Sequence, residues 1–211
     1  MALDMNNFTS NQKEQSAVKS NRKLRIGIIG TGGISGSHIP AYLRQEDVEL
    51  AAGCGPLLIP GKAESKFRYY KIEGGKFFTD YKEMIDTVEM DAVSVCTYNS
   101  THAECAIYAL EHGLNVLLEK PFTVTLEEAA AVMRAEKKSG KFVSVGFQPR
   151  FDANMQMIKK IVQSGELGRV FYVQTGGGRR HGIPVSWTDT FIQKDKAGLG
   201  AVGDIGCYSI D

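Results

Sequence analysis

Three side chains far apart in this sequence carry groups that together could move a proton: Lys120, Asp204 and Tyr208. Lys120 stands in Glu119-Lys120-Pro121, directly after the apolar run Val116-Leu117-Leu118. A lysine at the carboxyl end of a buried parallel strand sits where open α/β sheets bind ligands. Its ammonium can hydrogen-bond a substrate hydroxyl, stabilise a developing alkoxide and lower the pKa of an acid beside it. The proline that follows restricts Lys120 to extended geometry and permits a cis bond. By position alone, Lys120 also reads as a surface lysine at a strand end. Asp204 and Tyr208 are four residues apart, so a helix over 204–211 places them on one face. A phenol can relay a proton, but its reference pKa of about 10 calls for a nearby cation if it is to work near neutrality. Lys120 is that cation if the later part of the chain folds over the sheet edge. The plainer alternatives are helix capping by Asp204 and simple packing by Tyr208.

The second chemical signal is the turn Gly30-Thr31-Gly32-Gly33-Ile34-Ser35, which follows the β-rich run Leu24–Ile29. A strand that turns into a helix presents the free N–H groups of the first helical turn to an anion. Gly30 permits the tight turn, Gly32 leaves room for a pyrophosphate, and Ser35 is small enough for close helix–strand packing. An acid that would hold ribose hydroxyls is expected about 20 residues later, at the end of the second strand. The chain reads Ala52-Gly53-Cys54-Gly55-Pro56-Leu57 there, with no acid. Its absence removes a repulsion toward a 2′-phosphate, so both NAD and NADP remain open. Lys62 or Arg68 could meet that phosphate, or could be solvated helix residues.

These groups need a scaffold. Short apolar runs alternate with helical patterns throughout residues 24–147. Strands are expected at 24–29, 48–53, 76–78, 92–97, 116–118 and 142–147, and helices at 33–45, 62–70, 101–111 and 126–139. Asp80 and Thr125 read as N-caps, with Glu83 and Glu128 at capping-box spacing, and Gly113 and Gly140 as helix stops. Such alternation predicts right-handed βαβ crossovers and a doubly wound parallel sheet. After Gln148 the pattern changes: an amphipathic helix over 151–164, a strand over 170–175, a loop at Gly176–Gly182, and a new helical pattern from Asp204.

Composition bounds the rest. With 211 residues, 43% of them hydrophobic, the chain can bury a sizeable core. A net charge of +1 from 25 basic and 24 acidic side chains offers no basic face for nucleic acid. No apolar run reaches the roughly 18 residues of a membrane span, and the polar segment 1–22 reads as a disordered tail. Cys54, Cys96, Cys105 and Cys207 lack CxxC spacing and read as buried thiols in a reducing, cytoplasmic setting. The four histidines show no metal-ligand spacing, so no metal is expected.

Several motifs in order resemble the glucose-fructose oxidoreductase / inositol dehydrogenase / MocA family: Gly30-Thr31-Gly32-Gly33-Ile34; Thr97-Tyr98-Asn99-Ser100-Thr101-His102; Glu119-Lys120-Pro121; Gly146-Phe147-Gln148-Pro149-Arg150-Phe151; and Gly198 to Asp211. The resemblance implies a Rossmann domain (23–147) and then an α/β domain with an open sheet (148–211 being its start), with the active site between them. It implies NAD or NADP held by Gly30, Thr31, Gly32, Gly33, Ile34, Thr97, Asn99, His102, Glu119 and Lys120. It implies Lys120, Asp204 and Tyr208 as the catalytic group, Tyr208 falling where many members carry histidine and some carry tyrosine. The implied chemistry is hydride transfer between a nicotinamide and a carbinol carbon of a sugar, cyclitol or related polyol, the alternatives being a non-catalytic dinucleotide-binding protein or a glycosidase-like relative that uses bound NAD. Arg150, Arg179, Arg180, His181 and Trp187 are candidates to line the substrate pocket. Members often pair through the open sheet, which makes a homo-oligomer an expectation. The family usually continues well beyond the position of Asp211, so the chain is expected to be a fragment with little turnover of its own. Tyr98 and Gly55 depart from the family pattern, which has proline and an acid at those places.

Overall fold

The structure, a computed structural model, describes residues 22–56, 59, 61–177 and 192–211. Six strands form one parallel sheet: β1 (Leu24–Ile29), β2 (Val48–Cys54), β3 (Lys76–Phe78), β4 (Ala92–Val95), β5 (Asn115–Leu118) and β6 (Val143–Val145). Their spatial order is β3-β2-β1-β4-β5-β6. The order reverses between β1 and β4, and the cleft outside the carboxyl ends of those two strands is where such sheets bind ligands.

The helices are α1 (Ser35–Leu43), α2 (Lys62–Tyr69), α3 (Tyr81–Thr87), α4 (His102–Glu111) and α5 (Leu126–Ser139), then α6 (Ala153–Gln163), α7 (Lys194–Ala197) and α8 (Cys207–Ile210). Strand alternation splits the core in two. Ile26 and Ile28 of β1 join Ile39, Leu50 and Phe67 in one cluster. Ile29 joins Met84, Val93, Val95, Leu110, Leu118 and Val132 in the other. The central strands are buried on both sides, as expected when helices cover both faces of a parallel sheet. Phe67 shows how tightly one layer fits. A Cβ added at Gly53 or at Gly75 would come within 2.7 Å of its ring.

Local signals in the sequence account for many of the boundaries. Thr125 Oγ1 accepts from the Glu128 N–H at 3.1 Å and Glu128 Oε2 accepts from the Thr125 N–H at 3.1 Å, a reciprocal capping box. Gly140, at φ +66°, ends that helix. Asp80 caps α3 by accepting from the Lys82 N–H.

Four expectations require correction. The helix expected from residue 33 begins at Ser35, because the glycine turn is spent on the bend itself. The helix expected from residue 151 begins at Ala153. Residues Gln148–Phe151 form a 3-10 turn, and the Asp152 side chain caps α6 by accepting from the Asn154 and Met155 N–H groups. Residues 92–97 and 142–147 contribute shorter strands than expected, since pairing ends at Val95 and Val145. Residues 170–175 form no strand among the described residues. Their alternation is real, but a strand needs a hydrogen-bonded neighbour, and Phe171, Tyr172 and Val173 are exposed. Of the expected tail, residue 22 is described: Arg22 pairs with Asp91 at 2.6 Å. Residues 1–21 lie outside the described residues, as do Arg179, Arg180, His181 and Trp187.

Phe67→Ala should leave an apolar void between the two glycines and cost about 3–5 kcal/mol. Urea unfolding of the variant beside the parent chain measures this, and a cost below about 1 kcal/mol would contradict the packing described.

Candidate functional site

The glycine turn lies at the carboxyl edge of β1, and each of its residues has a distinct place. Gly30 has φ +91°, and a Cβ there would lie 2.6 Å from the Cys96 carbonyl oxygen, so no other residue fits. A Cβ at Gly32 or Gly33 would meet nothing within 4 Å, so the turn opens onto free space. Helix α1 begins at that opening with Ile34 as its N-cap and no side-chain cap. An uncapped helix start facing an open cradle suits a pyrophosphate. Ser35 is fully buried, and its Oγ donates to the Gly32 carbonyl at 2.7 Å. The Lys66 ammonium donates to the same carbonyl at 2.6 Å. Thr31 points inward: its side chain is fully buried, and its Oγ1 has no hydrogen-bond partner among the described residues.

Lys120 follows β5 at the same carboxyl edge of the sheet, and its bond to Pro121 is cis. Its Nζ donates to Asp204 Oδ1 at 2.7 Å and to the Asp204 carbonyl at 2.7 Å. The same Nζ lies 5.0 Å from the centre of the Tyr208 ring. A turn of π-helix over Val202–Gly206, followed by α8, carries Asp204 and Tyr208 to this lysine together. The Tyr208 hydroxyl donates to Gln148 Oε1 at 2.8 Å, and its ring meets Phe147 edge-on. The three residues singled out from sequence are therefore one cluster.

Electrostatics gives each member a protonation state. Burial pulls the Lys120 pKa down, but the Asp204 hydrogen bond and charge, with smaller help from Tyr208 and Cys207, carry it above its ordinary 10.5. Lys120 is thus a cation at neutral pH and acts as a donor. Burial pushes the Tyr208 phenol up, and the opposing pull of the Lys120 charge does not cancel it. The cation expected to bring this phenol toward neutrality is present, yet desolvation outweighs it.

Beneath Lys120 lies a buried network that joins Glu119 to three residues no sequence spacing marks. Glu119 points inward and is 4% exposed. Its Oε1 lies 2.7 Å from His38 Nε2, and its Oε2 accepts from the Lys120 backbone N–H at 3.2 Å. His38 Nδ1 lies 3.3 Å from Ser94 Oγ, which lies 2.6 Å from Tyr42 Oη. One polarity satisfies every group: Tyr42 donates to Ser94, Ser94 to His38, and His38 to the carboxylate. Burial raises the Tyr42 pKa, with the Ser94 bond opposing, which keeps it a donor. The available signals were Ser94 inside an apolar strand and His38 one turn into the helix after the glycines.

The remaining candidates are dispersed. His102 is buried beneath the loop, and its Nδ1–H donates to the Pro121 carbonyl at 2.8 Å. Burial lowers its pKa against the pull of the Pro121 and Thr97 backbones, so it is neutral. Its side chain supports the Lys120 loop from below. Asn99 donates to the Ala197 carbonyl at 2.9 Å and ties α7 to the sheet edge. Thr97, at the exit of β4, sets its methyl against the bend at Gly30. Arg150 lies over the Phe147 ring at 5.7 Å, and its guanidinium is paired with Asp211. Among the described residues no group of three or more His, Cys, Asp or Glu side chains is placed to hold a metal.

His38→Leu should leave the Glu119 carboxylate buried without its partner and cost about 1–3 kcal/mol. His38→Gln, which keeps a donor, should cost less. Denaturant unfolding of both variants checks this, and equal costs would show that the hydrogen bond is not what matters.

Known proteins agree with this geometry. The family model described as "Oxidoreductase family, NAD-binding Rossmann fold" matches residues 24–147, and the GFO/IDH/MocA C-terminal domain model matches residues 155–211. D-glucoside 3-dehydrogenase of Escherichia coli is 33% identical over 189 residues, covering 89% of this chain and 52% of its own. Inositol 2-dehydrogenase of Salmonella typhimurium is 34% identical over 152 residues, covering 71% of this chain and 44% of its own. The crystal structure of aldose-aldose oxidoreductase from Caulobacter crescentus superposes with TM-score 0.77 at 32% identity, covering 90% of this chain and 56% of that one. The chain thus spans about half the length of the curated relatives it matches. Its parallel sheet, open glycine turn and matched models identify an NAD-binding Rossmann domain, and the chain belongs to the GFO/IDH/MocA oxidoreductase family.

Proposed function

We propose that this chain provides the cofactor site and the proton-handling residues of an NAD(P)-dependent dehydrogenase acting on a secondary hydroxyl of a sugar, cyclitol or related polyol. The observation that carries the reading is the Lys120–Asp204–Tyr208 cluster at the sheet edge that also bears the open glycine turn. Relatives named for oxidation of glucosides and inositol support the substrate class.

A bound nicotinamide supplies the site that accepts or gives the hydride. The chain's residues manage the proton and the charge. Lys120, held cationic by Asp204, donates to the reacting oxygen and stabilises it as it becomes an alkoxide. Tyr208 holds the proton: in carbonyl reduction the phenol gives it to that oxygen, and in alcohol oxidation the phenolate takes it. Asp204 fixes the lysine's position, and the Glu119–His38 network fixes the strand end from which it projects. His102 supports the same loop.

The division into a cofactor domain over 23–147 and a second domain beginning at 148 fits this reading. So does a cytoplasmic setting: the four cysteines are free, and among the described residues no helix is long and apolar enough to cross a membrane. Homo-oligomerisation through the second domain is the fitting partner arrangement, given the exposed Met155, Ile158 and Phe171.

Lys120→Ala should lower kcat/KM for polyol oxidation roughly 10²–10⁴-fold, read as reduced-nicotinamide formation across a panel of sugars and cyclitols. Because the Tyr208 pKa lies above its ordinary 10.0, the phenol needed for reduction persists through neutral pH and is lost only as pH rises through that higher value. Oxidation should therefore speed up with rising pH while reduction slows, and Tyr208→Phe should flatten both profiles. Full turnover in Lys120→Ala, or unchanged profiles in Tyr208→Phe, would overturn the assignment.

A further inference from the structure

We propose that Lys66 is a positioning residue of the glycine turn: its ammonium holds the Gly32–Gly33 peptide in the orientation that presents the Gly33 N–H to a pyrophosphate. The proposal rests on the nucleotide-binding reading above and names a part of that site that the glycines themselves do not supply.

Glycines let a turn approach an anion, but they do not hold it still. Gly32 and Gly33 carry no side chain to restrain them, and a Cβ at either would meet nothing within 4 Å. The peptide plane between them rotates easily unless its polar atoms are held. The Gly32 carbonyl is held twice, by Ser35 Oγ at 2.7 Å and by Lys66 Nζ at 2.6 Å. A carbonyl oxygen has two lone pairs, and both are engaged. The Gly32–Gly33 bond is trans, and a trans peptide sends its N–H opposite to its carbonyl. Fixing the carbonyl toward α2 therefore fixes the Gly33 N–H on the far side. Gly33 is exposed there, and its N–H has no partner among the described residues.

The lysine stands in this place against its own electrostatics. It is half-buried on α2, one turn after Lys62, and like charges four residues apart on a helix repel. Burial lowers its pKa first and the Lys62 charge lowers it further, with Cys96 opposing. The Tyr70 hydroxyl is the other titratable group beside it: a Cβ at Gly36 would lie 3.4 Å from Tyr70 Oη and 3.6 Å from Lys66 Nζ. Among the described residues no carboxylate pairs with Lys66. A pyrophosphate in the open turn is the missing counter-charge, on the other side of the peptide that the lysine fixes.

The test is NADH titration of this chain, of Lys66→Met and of Lys66→Arg, read by cofactor fluorescence, with thermal unfolding of each. Lys66→Met keeps an unbranched stem and removes the donor. It should weaken NADH about tenfold, the worth of one charge-assisted hydrogen bond, and Lys66→Arg should restore most of that affinity. A second readout separates positioning from packing. The ammonium is present below its lowered pKa and is lost as pH rises through it, so the parent chain's NADH affinity should fall between about pH 7 and about pH 10. Lys66→Arg should stay level over that range, and Lys66→Met should stay level at the weaker value. Undiminished binding by Lys66→Met, equal weakening in the two variants, or a parent affinity that does not change with pH would each overturn the proposal. Should Lys66→Met melt well below the parent, Lys66→Arg and the parent's pH profile decide. A folded parent chain that takes no NADH would overturn the nucleotide-site reading itself, whereas parent binding that Lys66→Met leaves untouched removes this proposal alone.

Discussion

The organising constraint is what happens to two neighbouring charges at the end of β5. Glu119 and Lys120, the two residues that follow β5, take their side chains to different partners. Glu119 turns into the protein and would be costly there alone. His38 meets it at 2.7 Å, and the lysine's own backbone N–H meets its other oxygen. Lys120 turns outward and is met by Asp204. The inner anion fixes the strand end, and the outer cation is thereby presented at the sheet edge at a defined place. His102 adds a third fixed point by holding the Pro121 carbonyl.

This arrangement couples the two parts of the chain. The Rossmann sheet places Lys120, and the segment over 202–210 returns to it with Asp204 and Tyr208. Asn99 makes a second tie, to the carbonyl of Ala197 at the end of α7. The cluster is therefore assembled from residues more than eighty positions apart in sequence. The charge balance within it sets protonation states. Asp204 holds the Lys120 pKa above its ordinary value and burial holds that of the Tyr208 phenol above its own, so the lysine stays charged and the phenol neutral.

Much of this was legible in the sequence, for identifiable reasons. The parallel sheet followed from apolar runs alternating with helical periods, and the ends of α5 from Thr125, Glu128 and Gly140. Lys120, Asp204 and Tyr208 stood out because reactive groups closed or interrupted apolar segments. The Tyr42–Ser94–His38–Glu119 network was not legible, because it joins α1, β4 and β5 through contacts that no local spacing encodes. His102 stands at a motif position from which a cofactor role is expected, and its buried side chain holds the Pro121 carbonyl through a contact that no local spacing encodes. The strand expected over 170–175 failed for a related reason. Alternation specifies a surface suited to pairing but cannot supply the neighbour.

The most direct test of the central claim, that the glycine turn and the Lys120 edge form one working dinucleotide site, is NADH titration of the chain beside Gly32→Asp. Since a side chain at Gly32 meets nothing within 4 Å, the variant should fold normally and place a carboxylate where the pyrophosphate belongs. Saturable binding by the parent chain, lost in Gly32→Asp at equal thermal stability, is the expected result. Binding that persists undiminished in Gly32→Asp, or a folded parent chain that takes no cofactor, would contradict the account.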